Sequence, residues 1–171
     1  NQTKNATIAI ANHKGPVYLR FGRPKVPNFT PSNDQFVIGK AIKLKEGSDV
    51  SIFATGHTVW EALEAGKKLA ENNINCEIIN ITTIKPLDES AILESIKKTK
   101  CAVTAEEHQI LGGLGGSIAQ LTAKKNPIPL EFVGVNDSFG ESGKPMDLMK
   151  KYKIDRDSIF NAAIEVIKKK S

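Results

Sequence analysis

The sequence predicts an α/β domain whose doubly wound, mostly parallel sheet is flanked by helices. Strand-like and helix-like segments alternate from Val50 onwards, and the connections between them are short. Several strands are continuous apolar runs, including Ile78-Ile79 and Ala102-Val103. Such runs are typical of parallel strands that helices cover on both faces. Together these observations predict the fold class.

The leading part of the chain carries a different pattern. Residues 6–11 (ATIAIA) predict a short apolar helix, and Gly15 followed by Pro16 predicts a break after it. Residues 17–21 (VYLRF) alternate about Leu19 and predict a strand. This part therefore predicts one helix and one strand ahead of the regular pattern.

A proline-containing stretch separates the two parts. Residues 23–34 hold three prolines without a period, and each proline fixes φ and removes a backbone donor. We interpret the stretch as an extended linker and place a boundary near Phe36. The predicted domains are residues 1–35 and residues 36–171.

The regular part predicts five strands and four helices. Apolar runs predict strands at residues 41–45, 50–54, 76–81, 101–105 and 129–135. Helical periods predict helices from Thr58 to Asn72-Asn73, from Pro86 past Ile96, over residues 117–124, and from Asp157 onwards. Thr58 is the candidate N-cap of the first of these helices, and residues 112–116 are predicted to form a turn.

The net charge of +5 raises the question of phosphate or nucleic-acid partners. The lysine pairs at 67–68, 97–98, 124–125 and 150–151, with the run 168–170, all fall near predicted helix ends. Cations there face the negative end of the helix dipole, which favours a solvated, stabilising role. No basic stripe is interleaved with aromatic residues, so we expect no nucleic-acid partner.

The cysteines and the apolar runs bear on location. Cys76 and Cys101 each lie in an apolar strand pattern without CxxC spacing, which predicts buried, reduced thiols and a cytoplasmic protein. No apolar run approaches the ~20 residues that span a bilayer, and the first residues lack the layout of a secretory signal. We therefore expect no membrane partner.

A glycine-rich run, residues 112–117 (GGLGGS), lies between a predicted strand and a predicted helix. The free N–H groups of a helix start attract anions, so the position suits a phosphate. However, Ile118 breaks the dinucleotide fingerprint, and the GK[ST] of a P-loop is missing. We favour the interpretation that the glycines, Gly113 and Gly115 among them, allow a tight turn and close helix–sheet packing.

Glu106, Glu107 and His108 follow at the carboxyl edge of a predicted strand, where open α/β sheets bind ligands. The carboxylates could act as acid and base, or Glu107 and His108 could hold a metal. Adjacent side chains on an extended chain point to opposite faces, however, so the three do not converge without a bend. The alternative is that one of them orients the glycine run or a partner surface. His57, before a predicted helix, is expected to cap or pack.

Two arginines, Arg20 and Arg23, lie around the end of the predicted leading strand. A guanidinium there, on backbone stiffened by Pro24, is well placed to bind a phosphate bidentately. The alternative is a linker arginine paired with a nearby carboxylate. The residues alone leave both interpretations open.

Several segments together resemble one enzyme family. They are residues 15–24 (GPVYLRFGRP), 36–41 (FVIGKA), 84–88 (IKPLD), 104–108 (TAEEH), 112–115 (GGLG), 142–148 (SGKPMDL) and 154–155 (ID). In this order they are similar to the junction and C-terminal domain of transketolase, over essentially the whole chain. The EEH and GGLG segments are shared with 1-deoxyxylulose-5-phosphate synthase and, in weaker form, with 2-oxoacid dehydrogenase β subunits. The Arg-Pro and Ser-Gly-Lys-Pro segments favour transketolase.

The resemblance implies an enzyme that transfers a two-carbon ketol unit between sugar phosphates in the pentose phosphate pathway. It implies thiamine diphosphate with Mg²⁺ or Ca²⁺ in the full enzyme. The chain alone is expected to bind neither, because the diphosphate motif of the family is missing. The strand-ending Arg-Pro motif places the sugar phosphate on Arg23. No catalytic residue and no metal ligand of the family maps onto this chain, so the isolated chain is expected to be inactive.

The resemblance also implies partners. Residues 1–35 correspond to the end of the pyrimidine-binding domain and residues 36–171 to the C-terminal domain, joined to upstream transketolase domains or to a separate subunit in a homodimer. A regulatory or anion-binding edge is expected at Glu107, His108, Gly113 and Gly115. The alternatives are the C-terminal part of 1-deoxyxylulose-5-phosphate synthase or of a 2-oxoacid dehydrogenase β subunit, or a non-catalytic docking or regulatory module.

Overall fold

The computed structural model describes residues 1–22, 25–31 and 35–170. Within these residues the sheet has five strands: β1 (Ile42–Lys45), β2 (Val50–Ala54), β3 (Cys76–Asn80), β4 (Ala102–Gln109) and β5 (Leu130–Val135). Their order is β1-β3-β2-β4-β5, with β1 antiparallel to β3 and the other three pairs parallel. The predicted mostly parallel sheet is confirmed.

Helices cover both faces of this sheet. The described ranges hold α1 (Gln2–Ala11), α2 (Thr58–Glu71), α3 (Glu89–Thr99), α4 (Leu114–Lys125), α5 (Pro145–Lys151) and α6 (Arg156–Lys168). Side chains of α2 and α6 form one core with the sheet, and side chains of α3 and α4 form the other. This doubly covered arrangement agrees with the continuous apolar strands.

The central strand β2 shows how the sequence builds two cores. All of its residues are buried. Val50, Ile52 and Ala54 face the core of α2 and α6, whereas Phe53 faces the core of α3 and α4. The Ser51 hydroxyl hydrogen-bonds two hydroxyls of α3, each at 2.6 Å. The one polar side chain of this strand is therefore satisfied where it is buried.

Two expectations from composition are confirmed. Lysines lie in the last turn of each helix from α2 to α6, at the negative end of the helix dipole. Cys76 and Cys101 are free and buried, and burial raises the pKa of both thiols. Lys98 does more than the predicted solvated role, because its Nζ lies 2.6 Å from Oε1 of the buried Glu77.

The leading part differs from its prediction in two ways. The helix α1 begins at Gln2 rather than at residue 6, because its polar first turn carries no apolar period. Residues 17–22 carry no helix or strand, so the predicted strand over residues 17–21 is wrong for this chain. A strand needs a neighbour for its backbone groups, and within the described ranges no strand pairs with this segment. Part of the predicted linker, residues 23–24 and 32–34, lies outside the described residues.

In the regular part, two boundaries need correction and one helix was not predicted. The helix α4 begins at Leu114 rather than at Ser117, so the predicted turn over residues 112–116 gives its last three residues to the helix. The strand β4 continues to Gln109 rather than ending at residue 105. The helix α5 was not predicted, because it is short and buries only Met149, which leaves no apolar period to detect.

Candidate functional site

The strand β4 extends beyond its neighbour at the carboxyl edge of the sheet. The last residue of β2, Ala54, pairs with Ala105, and β4 runs on past this point. Glu106, Glu107 and His108 therefore lie inside the strand. Side chains alternate along a strand, so Glu106 and His108 share one side and Glu107 takes the other. The three side chains do not converge.

Glu106 is a buried carboxylate that binds the start of α4. Its Oε2 accepts the N–H of Leu114 and its Oε1 accepts the N–H of Gly115, each at 2.8 Å. The free N–H groups of a helix start attract an anion, and here that anion belongs to the protein itself. Glu106 thus orients the glycine run, as one of the two interpretations of residues 106–108 expected. An external anion would have to displace Glu106 from these two N–H groups.

The glycines of this run allow the close approach. A Cβ at Gly113 would overlap Oε2 of Glu106. A Cβ at Gly115 would lie 2.7 Å from Cδ1 of Phe132 and 2.8 Å from Oγ1 of Thr104. Both positions therefore require glycine for packing, which agrees with the favoured interpretation of the run.

On the other side of β4, Glu107 pairs with a histidine that precedes α2. Nδ1 of His57 lies 3.1 Å from Oε2 of Glu107, and the His57 side chain is only 13% exposed. The next residue, Thr58, does not cap α2 as predicted. Its hydroxyl instead donates to the carbonyl oxygens of Thr55 and Ala105, both at 2.8 Å, which ties the start of α2 to β4.

Residues 17–22, called the leading segment below, reach this same edge of the sheet. A Cβ on Gly22 would overlap the His57 ring, so the backbone of the segment lies directly against the imidazole. Nη1 of Arg20 donates to the carbonyl oxygen of Glu107 at 3.4 Å. The predicted phosphate ligand, Arg23, follows directly in the sequence and lies outside the described residues.

His108 belongs to the side of Glu106. Its Nδ1 lies 2.9 Å from the carbonyl oxygen of Gln109 and 3.9 Å from Oε2 of Glu106, and its side chain is half exposed. The structure thus separates His108 from Glu107, the pair considered as metal ligands. In the described part of the chain no three His, Cys, Asp or Glu side chains are grouped to hold a metal ion.

Sequence reasoning missed the pairing of His57 with Glu107. The two residues are far apart in the chain, and only the parallel register of β2 and β4 brings them together. The available signal was that both follow buried strands at the carboxyl edge, where side chains from neighbouring strands meet.

A second buried carboxylate lies away from this edge, on β3. Glu77 accepts hydrogen bonds from the Ser95 hydroxyl and from Nζ of Lys98, and Nζ of Lys43 lies 3.3 Å away. These groups line a pocket of about 90 Å³ between β1 and α3. Glu77 is fully buried, so the two lysines compensate the charge of a carboxylate that would otherwise be costly to bury.

No helix in the described ranges is both long enough and apolar enough to span a membrane.

The comparisons with known proteins agree with one another. The family model "Transketolase, C-terminal domain" matches residues 39–159. The chain is 43% identical over 170 residues to a 6-deoxy-6-sulfo-D-fructose transketolase subunit of Clostridium sp. (strain MSTE9), covering 99% of this chain and 53% of that protein. It is 44% identical over 171 residues to a putative transketolase C-terminal section of Methanocaldococcus jannaschii, covering 98% of this chain and 53% of that protein. The chain thus spans about half the length of these curated relatives.

The solved structures agree as well. A split-gene transketolase, described as an inactive β4 tetramer, matches with a TM-score of 0.95 and 38% identity, covering 98% of this chain and 55% of that chain. The transketolase of Leishmania mexicana matches with a TM-score of 0.58 and 19% identity over 77% of this chain and 18% of its own, which shows the shared fold. The resemblance read from the sequence motifs is confirmed, and the chain belongs to the transketolase C-terminal domain family.

Proposed function

We propose that this chain is the C-terminal part of a thiamine-diphosphate-dependent transketolase that transfers a two-carbon ketol unit between sugar phosphates of the pentose phosphate pathway. One observation carries the proposal. The similarity to transketolase subunits continues through the leading segment and covers 98–99% of the chain, well beyond the domain matched at residues 39–159.

In this proposal the chain supplies no catalytic group. The described residues offer no cluster of carboxylate, imidazole and thiol ligands for the divalent cation of the cofactor. The N–H groups at the start of α4, which would suit a diphosphate, are bound by Glu106. These residues do not fit thiamine diphosphate with Mg²⁺ or Ca²⁺, so we assign the cofactor to the rest of the enzyme. We assign the sugar phosphate to Arg23.

The rest of the enzyme is proposed to include the pyrimidine-binding domain, which residues 1–35 would complete. Exposed apolar side chains on this part support the proposal: Tyr18 is 87% and Phe21 is 67% exposed. The missing domains belong either to the same polypeptide or to a separate subunit. The free buried thiols suit a cytoplasmic enzyme, and we expect it to dimerise as transketolases do.

We keep one regulatory proposal for the edge formed by Glu107, His108, Gly113 and Gly115. The side chains of Glu107 and His108 are the accessible part of this edge, at 44% and 54% exposure, whereas the two glycines face the buried Glu106. A titration with inorganic phosphate, followed by NMR, tests it. Unchanged signals from these residues would end the proposal.

The experiment that tests the function is reconstitution. The chain is combined with the thiamine-diphosphate-binding part of the same enzyme, and a ketose phosphate with an aldose phosphate is offered as the substrate pair. We expect ketol transfer to the aldose phosphate. Turnover of pyruvate instead would identify a 1-deoxyxylulose-5-phosphate synthase. Turnover restricted to a sulfonated ketose would contradict the pentose phosphate pathway assignment. Activity of the isolated chain would contradict the proposal that this chain supplies no catalytic group.

A further inference from the structure

The net charge of the chain is unevenly distributed. Residues 1–33 hold five of the 24 Lys and Arg residues and none of the 19 Asp and Glu residues. Residues 34–171 therefore carry 19 of each and are neutral overall. The lysine pairs at the helix ends belong to this neutral part. The formal charge of +5 thus lies entirely in residues 1–33, and the helix dipoles do not account for it.

Cations of residues 1–22 are exposed and lack an acidic partner. Lys4 lies on α1, Lys14 follows this helix, and Arg20 lies in the leading segment. Among the described residues no carboxylate forms an ion pair with any of the three, and Nη1 of Arg20 donates to a backbone carbonyl oxygen instead. Their charge is therefore not compensated within these residues, and a patch of one sign attracts groups of the opposite sign.

Large apolar side chains are exposed among these cations. Ile8 is more than half exposed and lies one helical turn from Lys4 on α1. Tyr18 and Phe21, both largely exposed, lie on either side of Arg20 in the sequence. Apolar groups of this size at a surface are typical of a contact with a partner. Protein interfaces commonly combine such an apolar centre with a polar rim, and residues 1–22 offer both.

Residues 1–22 lie along one edge of the sheet. Nδ2 of Asn80, the last residue of β3, donates to Oε1 of Gln2 at 3.2 Å. Gly22 lies against His57, which follows β2, and Arg20 reaches the backbone of β4. The carboxyl ends of the three central strands therefore hold this part of the chain. The uncompensated charge is thus concentrated at one end of the domain.

We propose that the exposed side of residues 1–22 is a docking surface for an acidic face of the rest of the enzyme. This inference rests on the proposed function, which assigns residues 1–35 to a domain that the rest of the enzyme completes. Opposite charges draw the two parts together, and the contact then buries the apolar side chains. An aliphatic side chain such as Ile8 offers a nucleic-acid base no stacking surface, which favours a protein partner.

The test measures how fast the chain associates with the thiamine-diphosphate-binding part of the same enzyme. We expect the association rate constant to fall about tenfold when NaCl is raised from about 50 to about 500 mM, because salt screens exposed charges. This arm needs no substitution. At the lower salt concentration, Lys4→Glu combined with Lys14→Glu should also lower the constant about tenfold, and the dissociation rate constant should change less than about threefold. Surface plasmon resonance gives both constants.

The matched control reverses two charges at the opposite edge of the sheet. Lys124 and Lys125 are exposed at the end of α4, which leads from the carboxyl end of β4 to the start of β5. Lys124→Glu combined with Lys125→Glu changes the net charge by the same amount and should keep the association rate constant within about twofold. Equal losses for the two double variants would show that net charge alone acts, and the docking surface would be wrong.

Ketol transfer by the combined parts distinguishes this inference from the proposed function. If transfer occurs while neither salt nor charge reversal alters association, the docking surface is wrong and the proposed function stands. If association depends on these charges but no transfer occurs, the docking surface stands and the proposed function is wrong. A single-stranded oligonucleotide of about 20 nucleotides tests the other polyanion. Its binding, lost with Lys4→Glu and Lys14→Glu while association is unchanged, would overturn the inference.

Discussion

At the scale of single residues, Gly113 shows how closely the glycine run fits Glu106. An alanine Cβ would overlap Oε2 of Glu106, which could move only by giving up an N–H of α4. We expect Gly113→Ala to lower the free energy of unfolding by about 1–3 kcal/mol. In the control Gly116→Ala, the nearest atom lies 3.7 Å from the new Cβ, so this helical alanine should be neutral or stabilising. Chemical denaturation measures both, and equal losses would contradict the argument.

Arg23 carries the substrate proposal at the same scale. If Arg23 binds the sugar phosphate as proposed, Arg23→Ala in the assembled enzyme would remove its charge-assisted hydrogen bonds to that phosphate. We expect a loss of about 2 kcal/mol or more in substrate binding, which is about a 30-fold rise in KM. Lys25→Ala removes a nearby exposed cation and should leave KM unchanged. Steady-state kinetics decides, and an unchanged KM for Arg23→Ala would refute the assignment.

At the scale of elements, an ion pair with a buried carboxylate joins α2 to α6. Nε and Nη2 of Arg156 donate to the two carboxylate oxygens of the buried Glu61 at 2.9 and 3.0 Å, and the Arg156 backbone N–H donates to Oε2 as well. These bonds also raise the pKa of Arg156. Removing the guanidinium leaves a buried carboxylate without its charged partner, which is more costly than losing an exposed pair.

We therefore expect Arg156→Ala to lower the free energy of unfolding by about 2 kcal/mol. The control is Lys68→Met, because Lys68 joins the same two helices through the exposed Asp157 at 2.9 Å. An exposed pair is expected to contribute no more than about 1 kcal/mol. Urea denaturation of the two variants gives the comparison, and a larger loss for Lys68→Met would show that burial of Glu61 does not set the cost.

A pH-dependent cluster links β1 to α3. Oε1 of Glu46 lies 3.0 Å from Nζ of Lys43 and its Oε2 lies 3.2 Å from Nζ of Lys98. The hydrogen bond from Lys43, followed by that from Lys98, lowers the pKa of Glu46 from 4.5 to about 2. Because the folded pKa is depressed, the stabilisation is fully present above pH 4.5 and is lost as the pH falls toward 2.

An NMR titration of the Glu46 carboxyl group should therefore give a midpoint near 2. Glu46→Gln should remove the contribution of the Glu46 carboxylate to the fall in the free energy of unfolding between pH 4.5 and 2. Added salt should weaken the effect, since the group is exposed to solvent. A midpoint near 4.5 would show that solvent screens the two lysines.

The elements that could be predicted from the sequence are those with a long apolar period. The strand β2 and the helix α2 follow their predicted bounds closely, because one face or both faces of each are buried. The helix α5 is not predicted because it is short and buries only Met149. The start of α4 is not predicted because a glycine-rich sequence is typical of a turn, and only the hydrogen bonds from its N–H groups to Glu106 show that it is a helix start. The pairing of His57 with Glu107 depends on strand register, which one sequence does not display.

At the scale of the whole molecule, residues 36–171 form a sheet with both faces covered, whereas the leading segment leaves apolar side chains exposed. The sheet and its helices enclose two cores whose main side chains are fully buried. The leading segment carries a strand-like pattern, yet its residues 17–22 pair with no strand in the described ranges and expose Tyr18 and Phe21. An alternating apolar segment of this kind gains stability only when a neighbouring strand and an apolar surface cover it.

We therefore expect the amides of residues 17–21 to exchange hydrogen rapidly in the isolated chain and to become protected in the assembled enzyme. The physical reason is that unpaired backbone amides are open to solvent, whereas ladder hydrogen bonds slow exchange. Residues 50–54 are the internal control, because β2 is central and buried in this chain and should be protected in both states. Hydrogen–deuterium exchange read by mass spectrometry tests the expectation. Equally rapid exchange of residues 17–21 in both states would mean that the segment completes no sheet of a second domain, and the proposed assignment of residues 1–35 to the pyrimidine-binding domain would then be wrong.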